Sequence, residues 1–320
     1  MDTNTKIGIV ILNYNAFESV MKCVYSIFKY EKKRKYNIYI VDNASTDGSM
    51  KRLRAQYSGF PNVKIIDAKV NGGYSYGNNC GIDEAKKDGV KFVVIANPDT
   101  YLENDAISKL IDFLENNENV SVAGPKLRQP DGQKQFARKK VTFWRAIFCK
   151  LPFRYINIVP ATLRRTIDWE GKGNFIFDGM VAGCFFAARI EDFNTIGLFD
   201  DDFFLYYEED VIAYNLNEIK KKAAIVPGAK VFHDHSTTTK KESMEFIYFY
   251  YRISEFLLLC KYGHINIFEK AVIYSMYTIW SFLYLLIKEK SFGRHLEFRA
   301  ILKKICVGDY KKANPKLYGK

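Results

Sequence analysis

The sequence has little of what marks disordered, collagenous or disulfide-stapled chains. Among its 320 residues there are 8 prolines and 20 glycines, whereas 48% of the residues are hydrophobic and 16% are aromatic. A chain of this composition can bury a large apolar core, which excludes those three classes. Its length fits one large domain or two smaller ones.

Several functional signals are also missing. The six cysteines lie far apart, with no CxxC pair, so we expect buried thiols in a reducing compartment. The first apolar run, residues 7–12, is too short for a secretory signal, and we therefore expect a cytoplasmic protein. The absence of GxGxxG after this run and of GxxxxGK[ST] disfavours a dinucleotide dehydrogenase and a P-loop nucleotide hydrolase.

Positive charge is unevenly placed along the chain, whose formal net charge is +12. Residues 240–320 hold 15 Lys and Arg against 7 Asp and Glu, whereas the first 239 residues hold 33 against 29. Such a basic tail suits nucleic acid, anionic lipid or plain solvent. No nucleic-acid recognition motif accompanies the charge, so we expect no nucleic-acid partner.

The first 115 residues alternate between two hydrophobic periodicities. Short β-branched runs at 6–12, 36–41, 63–67 and 91–96 are typical of strands in a parallel sheet that is covered on both faces. Patterns typical of helices follow at 17–30, 49–57, 77–88 and 105–115. This alternation predicts a doubly wound α/β unit, which binds its ligand at the carboxyl ends of the strands.

Polar residues follow all four predicted strands. Because the carboxyl ends of parallel strands meet at one edge, these residues should line a single rim. The alternative is that they only end strands and cap helices, which leaves two carboxylates with amide and aromatic neighbours unexplained. The residues are Asn13, Tyr14 and Asn15, then Asp42 and Asn43, then Asn71, Gly72 and Gly73, and finally Asn97, Pro98 and Asp99.

Further motifs occur in a fixed order in the second half. They are GMVAGCFFA at 179–187, FD at 199–200, FFLYYEED at 203–210 and VFHDHS at 231–236. Together with ILNYN, VDNASTDGS, NGGYSYGNNCGI and NPDT, they make the chain resemble family 2 glycosyltransferases of the GT-A fold, most of all the subgroup with bacterial rhamnosyltransferases and galactofuranosyltransferases. The resemblance covers residues 6–239. It implies an α/β, GT-A catalytic domain at 1–239, with a Rossmann-like, mostly parallel sheet flanked by helices, and a helical extension at 240–320.

The resemblance also implies a metal site. Asp99 of NPDT matches the last acid of the family's DXD element, where it would hold Mg²⁺ or Mn²⁺ with diphosphate oxygens. Asn97 stands in place of the first acid and would contact the nucleotide sugar. His233 best matches a second protein ligand, and His235 is the reserve. The alternative is a pair of histidines in a polar strand end that binds no metal.

By the same resemblance Asp210 is the catalytic base, with Glu209 beside it. Glu208, Glu209 and Asp210 crowd three negative charges next to tyrosines, which should raise the pKa of at least one carboxyl group. The alternative, an acidic run that begins a helix, is compatible with catalysis. Ile212 and Leu216 replace an Asp and an Arg of the family, which puts the placement of the acceptor in doubt and leaves a catalytically inactive relative as an alternative.

Nucleotide binding is assigned by resemblance to the rim. Tyr14 and Asp42 would recognise a pyrimidine base, uracil or thymine alike. Gly183 would leave room for the sugar, although glycine also has ordinary turn and packing roles. The residues expected to approach the ribose and diphosphate are Asn71, Gly72, Gly73 and Asn79.

Two segments remain open. Residues 129–174 are basic and aromatic, which suits either an acceptor-facing loop region or short helices. Residues 271–287 carry no charge and form an apolar stripe at helical spacing, which suits an interfacial helix, a core or homodimer helix, or a membrane span. The basic residues around this stripe favour an anionic membrane surface. The stripe comprises Val272, Met276, Ile279, Leu283 and Leu286.

These patterns predict an inverting, metal-dependent and non-processive glycosyltransferase on the inner face of the cell membrane. It would move one sugar from a dTDP- or UDP-sugar to a glycan or a polyprenyl-diphosphate-linked acceptor in bacterial surface polysaccharide synthesis. The QxxRW element of processive relatives is missing. The alternatives are an inactive sugar-nucleotide-binding scaffold and a sugar-phosphate nucleotidyltransferase, which should show a GxGxR loop near the first strand.

Overall fold

The structure is a computed structural model of the chain. It describes residues 6–130, 137–148, 166–167, 171, 173–234, 244–284 and 292–311. The cysteines in these ranges are free thiols, of which Cys23 and Cys184 are buried and Cys80, Cys260 and Cys306 are half-buried.

A mixed, mostly parallel sheet forms the centre of the molecule. Its order is β3-β2-β1-β4-β10-β6-β11-β5, with β9 paired to β11. Strands β1 to β4 are parallel, and β10 runs antiparallel to both β4 and β6. A separate two-stranded sheet joins β7 and β8. The strands are β1 (Ile7–Asn13), β2 (Tyr36–Asp42), β3 (Val63–Asp67), β4 (Phe92–Ala96), β5 (Thr100–Leu102), β6 (Val120–Arg128), β7 (Ala137–Arg138), β8 (Thr166–Ile167), β9 (Phe175–Phe177), β10 (Phe185–Arg189) and β11 (Lys222–His233).

Helices cover both faces of the sheet, as the two-sided hydrophobicity of the strands predicts. The four predicted strands and four predicted helices of the first 115 residues are all present, and only the third helix begins earlier than predicted. The helices are α1 (Phe17–Tyr30), α2 (Ser49–Tyr57), α3 (Gly73–Lys87), α4 (Ala106–Glu115), α5 (Phe143–Phe148), α6 (Ile190–Thr195), α7 (Glu208–Glu218), α8 (Met244–Lys261), α9 (Ile267–Ser281) and α10 (Phe292–Cys306).

Pairing between distant strands decides what meets at the rim. The antiparallel pairing of β11 with β5 sets His233 opposite Thr100, directly after Asp99. The start of β10 pairs with the end of β4, so that Phe185 lies opposite Ala96 and Asn97 N–H donates to the Cys184 carbonyl. The second half of the chain therefore brings its motifs to the carboxyl end of β4.

The three C-terminal helices share a core with the segment that precedes α7. Phe203, Phe204 and Tyr207 are buried together with apolar side chains of α8, α9 and α10. Helix α8 agrees with the helical extension that the resemblance implies for residues 240–320. The predicted boundary between residues 239 and 240 lies outside the described residues, and the division into two domains stays a prediction.

The predicted apolar stripe on the tail coincides only in part with the face that α9 buries, since Val272 and Met276 are half-buried against the core. The helix begins earlier than expected, at a capping box of Asn266 and Glu269, and packs inward through Ile273 and Tyr277. Ile279 on the predicted stripe is 59% exposed instead. Part of the stripe, from residue 285 onward, lies outside the described residues. Within the described ranges, no helix has the length and apolar character needed to cross a membrane.

Candidate active site

One half of the candidate site lies at the carboxyl end of β4. Asp99 is 3% exposed, and the buried His233 directs its Nε2 atom to within 3.5 Å of Asp99 Oδ1. The Asp234 N–H donates to the Asp99 carbonyl over 2.8 Å, which ties the end of β11 to the NPDT turn. Strand pairing thus brings together two residues that the sequence separates by more than 130 positions.

The imidazole of His233 is electrostatically coupled to its neighbours. Burial lowers the pKa of His233, but hydrogen bonds to Asp99 and Cys184 and their negative charges outweigh burial and raise the pKa to about 10. Without another cation nearby, His233 is therefore protonated at neutral pH. A metal ion bound here would displace that proton, as metal binding to histidine generally does.

Asp99 and His233 could hold a divalent cation only if a bound molecule supplied further donor atoms. Asp99 supplies a hard carboxylate oxygen, which suits Mg²⁺ or Mn²⁺, and His233 supplies an imidazole nitrogen, a softer donor that transition metals accept more readily than Mg²⁺ does. Within the described ranges, no group of three or more His, Cys, Asp and Glu side chains surrounds a metal position. The remaining ligands would have to be diphosphate oxygens or water. His235, the reserve ligand, lies outside the described residues.

The other half of the site is the first turn of α7. Tyr206 and Tyr207 both have left-handed backbone angles, with φ of 72° and 71°. Such strained residues cost about 1–3 kcal/mol each and cluster at functional sites. Ring contacts with Tyr251 of α8, at 5.7 and 4.8 Å between centroids, hold both tyrosines in place.

In the acidic first turn of α7, the predicted rise of a carboxyl pKa occurs at Glu208. Burial, followed by the charge of Glu209 and that of Asp210, raises the pKa of Glu208 well above its ordinary value. The Glu208 Oε1 atom is buried with no hydrogen-bond partner among the described residues. Asp210 is 1% exposed and lies in the same turn. The helix start and the carboxylate cluster thus coincide, as both interpretations of the sequence required.

Glu209 is bound by a residue that the motifs did not single out. The Arg138 Nη1 atom lies 3.3 Å from Glu209 Oε1. On the other side, a Cβ atom added at Gly183 would lie 3.5 Å from Glu209 Cδ, an ordinary van der Waals distance. The folded chain alone does not require glycine at 183, and room for a donor sugar there stays a prediction.

Tyr74 joins the two halves. Its hydroxyl donates to the Gly183 carbonyl over 2.7 Å. Burial raises the pKa of Tyr74 well above its ordinary value, and the charges of Glu208, Glu209, Cys184 and Asp99 raise it further. The negative charges of carboxylates from both halves thus contribute to the raised pKa of this one phenol.

The ends of β1 and β2 form the rim next to β4. Asp42 is buried, and its two oxygens accept hydrogen bonds from Asn13 Nδ2, at 2.7 Å, and from the Ser45 N–H, at 2.9 Å. A carboxylate has about four acceptor positions, so Asp42 retains capacity for a base N–H. Tyr14, 44% exposed on the same rim, presents an aromatic surface.

The Asn71–Gly73 turn connects this rim to the acidic turn. Asn43 Nδ2 donates to Asn71 Oδ1 and to the Gly73 carbonyl, at 3.1 and 3.0 Å. A Cβ atom at Gly73, whose φ is +90°, would lie 2.2 Å from the Phe204 carbonyl oxygen, so only glycine fits. Gly72 lies in the same turn, directly before α3. The turn therefore docks onto the backbone that leads into α7.

Asn79 has a structural task in the folded chain. Its Nδ2 donates to the Phe199 carbonyl and to Asp201 Oδ1, and its Oδ1 accepts from the Phe199 N–H. These bonds hold the segment before α7 against α3. Asn97, half-buried, lies beside Asp99, and contact of either asparagine with a nucleotide stays a prediction.

Three residues of the site were not identified from the sequence. Tyr74 and Cys184 lie inside recognised motifs, directly after Gly73 and Gly183, but nothing local shows that their side chains face the pocket. Arg138 lies in the basic and aromatic segment whose role stayed open. The described part of that segment contains both the short helix α5 and the strands β7 and β8.

Comparisons with known proteins agree with this geometry. The sequence profile described as "Glycosyl transferase family 2" matches residues 8–169. An N-acetylglucosaminyl-diphospho-decaprenol L-rhamnosyltransferase of Mycobacterium tuberculosis is 23% identical over 231 residues, covering 66% of this chain and 70% of the relative. The low-salt glycan biosynthesis hexosyltransferase Agl10 of Haloferax volcanii is 26% identical over 216 residues, covering 65% of this chain and 60% of the relative.

Two solved structures share the fold. GalNAc-T7, crystallised with UDP, GalNAc and Mn²⁺, aligns with a TM-score of 0.57 at 17% identity, covering 84% of this chain. The chain spans only 54% of that protein. Residues 1–349 of S. aureus TarS align with a TM-score of 0.51 at 13% identity, covering 99% of this chain and 92% of that one. These likenesses confirm the predicted GT-A-type fold.

Proposed function

Because the chain belongs to glycosyl transferase family 2, we propose that it transfers a single sugar, with inversion, from a UDP- or dTDP-sugar to a diphosphate-linked lipid or growing glycan. The named relatives that act on a diphospho-decaprenol and in glycan biosynthesis support this class of acceptor. Bacterial surface polysaccharide synthesis at the inner face of the cell membrane would be the setting.

The observation that carries the proposal is that one loop, at Gly183 and Cys184, contacts the segments of two separate acidic groups. The Cys184 carbonyl accepts from the Asn97 N–H, two residues before Asp99, and Gly183 lies beside Glu209, which precedes Asp210. Sugar transfer needs this division, because a departing diphosphate must be neutralised while an incoming hydroxyl loses its proton.

On the donor side, residues of this chain would bind and orient the nucleotide sugar. Tyr14 would stack on the pyrimidine and Asp42 would accept its ring N–H, which does not distinguish uracil from thymine. The tight Gly73 turn brings backbone close to the ribose and diphosphate. Asp99 and His233 would hold Mg²⁺ or Mn²⁺, and that ion, when bound, would supply the positive charge that stabilises the leaving diphosphate.

On the acceptor side, Asp210 would take the proton of the attacking hydroxyl. It lies in the first turn of α7, where the helix dipole favours a carboxylate. The elevated pKa of Glu208 lowers the number of negative charges beside it at neutral pH. A single displacement directed by one base inverts the anomeric centre.

A donor screen tests the proposed activity. We expect release of UDP or dTDP from one or a few sugar nucleotides when a diphosphate-linked lipid acceptor is present, and loss of release in EDTA that Mn²⁺ or Mg²⁺ restores. Chromatography of the released nucleotide measures both.

Three results would contradict the proposal. If no sugar nucleotide binds or reacts, the chain is not a transferase of this class. If nucleotide sugar is bound but never consumed with any acceptor, the inactive-scaffold alternative replaces it. Net formation of nucleotide sugar from sugar phosphate would favour a nucleotidyltransferase.

We also propose that the outer face of the C-terminal helices docks on an anionic lipid surface. Exposed apolar side chains line this outer face, among them Phe268 at 73% exposure and Ile279 at 59%. The rings of Phe282 and Phe292 both contact His295, which brings the end of α9 next to the start of α10. The basic residues Arg294, Arg299, Lys303 and Lys304 on α10 suit acidic head groups.

Vesicle flotation tests this docking with the full chain. The double variant Phe268→Gln/Ile279→Gln should bind vesicles containing phosphatidylglycerol about tenfold more weakly, because two large apolar side chains no longer enter the interface. Tyr25→Gln, which removes an exposed aromatic ring from α1, should bind like the unchanged chain.

Binding that is unaltered by the double variant would contradict the lipid surface. A concentration-dependent dimer that the same variant dissociates would show that a second copy of the chain covers this face instead.

A further inference from the structure

A short basic segment lies beside the acidic turn and has no task in the mechanism above. This basic arm, residues 137–148, carries Arg138, Lys139, Lys140 and Arg145 and contains no acidic residue. We propose that the basic arm binds the diphosphate of the acceptor, an inference that rests on the proposed transfer to a diphosphate-linked acceptor.

The position of the basic arm is fixed by backbone contacts. Arg138 and Met180 exchange two backbone hydrogen bonds, of 2.9 and 3.0 Å. A Cβ atom at Gly179 would lie 2.2 Å from the Arg138 carbonyl oxygen, so the two backbones approach as closely as glycine permits. Strand β7 is therefore held against the loop that leads into Gly183 and β10.

Side-chain packing holds the other end of the basic arm. Val141, Phe143 and Ala146 are buried in the core that also contains Tyr207 and Val211. The Tyr214 hydroxyl of α7 donates to the Val141 carbonyl. These contacts thus anchor the basic arm to the helix that carries Asp210.

The cations of the basic arm lie on both sides of the proposed base. Arg138 binds Glu209 in the first turn of α7, whereas Lys140 Nζ lies 5.5 Å from the ring centroid of Tyr214, one helical turn beyond Asp210. Arg145 Nη1 donates to the Lys140 carbonyl over 2.7 Å and so braces this end of the arm. Positive charges of the basic arm thus lie near the first two turns of the helix that carries Asp210.

The guanidinium of Arg138 has capacity for a further anion. Its side chain is 38% exposed, and a guanidinium has five N–H donors in a fork that matches phosphate oxygens. The contact with Glu209 is long, at 3.3 Å, and leaves the rest of that fork for an incoming ligand. Arg138 can thus hold Glu209 and a phosphate together.

The chemistry of the acceptor explains why an anion should bind here. In a sugar linked to lipid through diphosphate, the attacked hydroxyl and the diphosphate belong to the same sugar ring. A cation held next to the base could therefore bind that diphosphate, and Arg138 is held at Glu209, the residue before Asp210. The donor diphosphate is already assigned to the Asp99 side. The exposed ring of Trp144 on α5 offers apolar surface to the lipid that follows.

Geranyl diphosphate, a probe with a short isoprenoid and no sugar, tests the site by titration calorimetry. UDP and Mg²⁺ are kept at saturation, so that the probe cannot occupy the donor side. We expect Arg138→Gln to weaken probe binding about tenfold, since a charge-assisted hydrogen bond to phosphate is lost. Arg138→Lys should retain part of the affinity for the probe. Lys126→Gln makes an equal change in charge at an exposed position of β6, and it should bind the probe as tightly as the unchanged chain does. Geraniol, which lacks the diphosphate, should bind no variant.

The inference is overturned if Arg138→Gln binds geranyl diphosphate as tightly as the unchanged chain does. It is equally overturned if the probe displaces UDP, because the probe then occupies the donor side. Binding of UDP alone is measured first: failure there removes the proposed function and this inference with it, whereas normal UDP binding without probe binding removes only the inference.

Discussion

The Asp210→Asn variant should lose sugar transfer by about a thousandfold while it keeps its fold and its affinity for UDP, since general-base catalysis contributes about 10²–10⁴-fold. Asparagine preserves the shape of the side chain but cannot take a proton. Asp210 is buried in the first turn of α7, beside two further carboxylates, so neutralising it also relieves repulsion in the folded state. The measurement is initial rate at saturating donor, with thermal unfolding and UDP binding in parallel.

Glu218→Gln is the matched control, because it makes the same charge change at the exposed last position of the same helix. It should transfer sugar at the unchanged rate. If Asp210→Asn remains active and Glu209→Gln does not, the base is Glu209 and the assignment to Asp210 is wrong.

The Asp99→Asn variant should lose transfer by about a hundredfold or more, because the proposed cation would lose its carboxylate ligand, and the charge of that cation stabilises the departing diphosphate by several kcal/mol. Unlike Asp210→Asn, it should also weaken Mn²⁺-dependent binding of UDP. His233→Gln should change metal dependence in the same direction, since its Nε2 atom lies beside Asp99. Calorimetric titration of UDP at several Mn²⁺ concentrations distinguishes Asp99→Asn from Asp210→Asn.

Asp83→Asn serves as the control for this experiment, since Asp83 is exposed on α3. It should bind UDP with Mn²⁺ as the unchanged chain does. Asp99→Asn with unaltered UDP affinity at every Mn²⁺ concentration would show that no cation is held at the end of β4.

The C-terminal helices have a role in the active site that differs from docking on lipid. Ser254 Oγ of α8 donates to the Leu205 carbonyl, and Lys261 Nζ lies 2.6 Å from both Asp200 and Asp202. These contacts hold the segment whose strained tyrosines begin α7. Removing the helices would therefore disturb the acidic turn, so membrane binding has to be tested with surface variants of the full chain.

Much of the fold follows from local sequence. The strands at 6–12 and 63–67 and the helices at 17–30 and 49–57 are defined by hydrophobic periods and by the polar residues that end them. The order of the motifs indicated the family. Crowding of like charges predicted an elevated carboxyl pKa, which occurs at Glu208. The tail stripe was a partial failure, because helical periodicity shows that apolar faces exist but not which face is buried.

The sequence by itself determined the alternation of strands and helices and the polar residues at the strand ends, since both depend on neighbours in the chain, and its resemblance to a family named the candidate acids. Only the tertiary structure decided that His233 meets Asp99, that the Tyr74 hydroxyl binds the Gly183 carbonyl, and that Arg138 binds Glu209. Each of these contacts joins segments more than 20 residues apart through strand pairing or helix packing. Register and packing of that kind depend on the whole folded core, and no local period of the sequence encodes them.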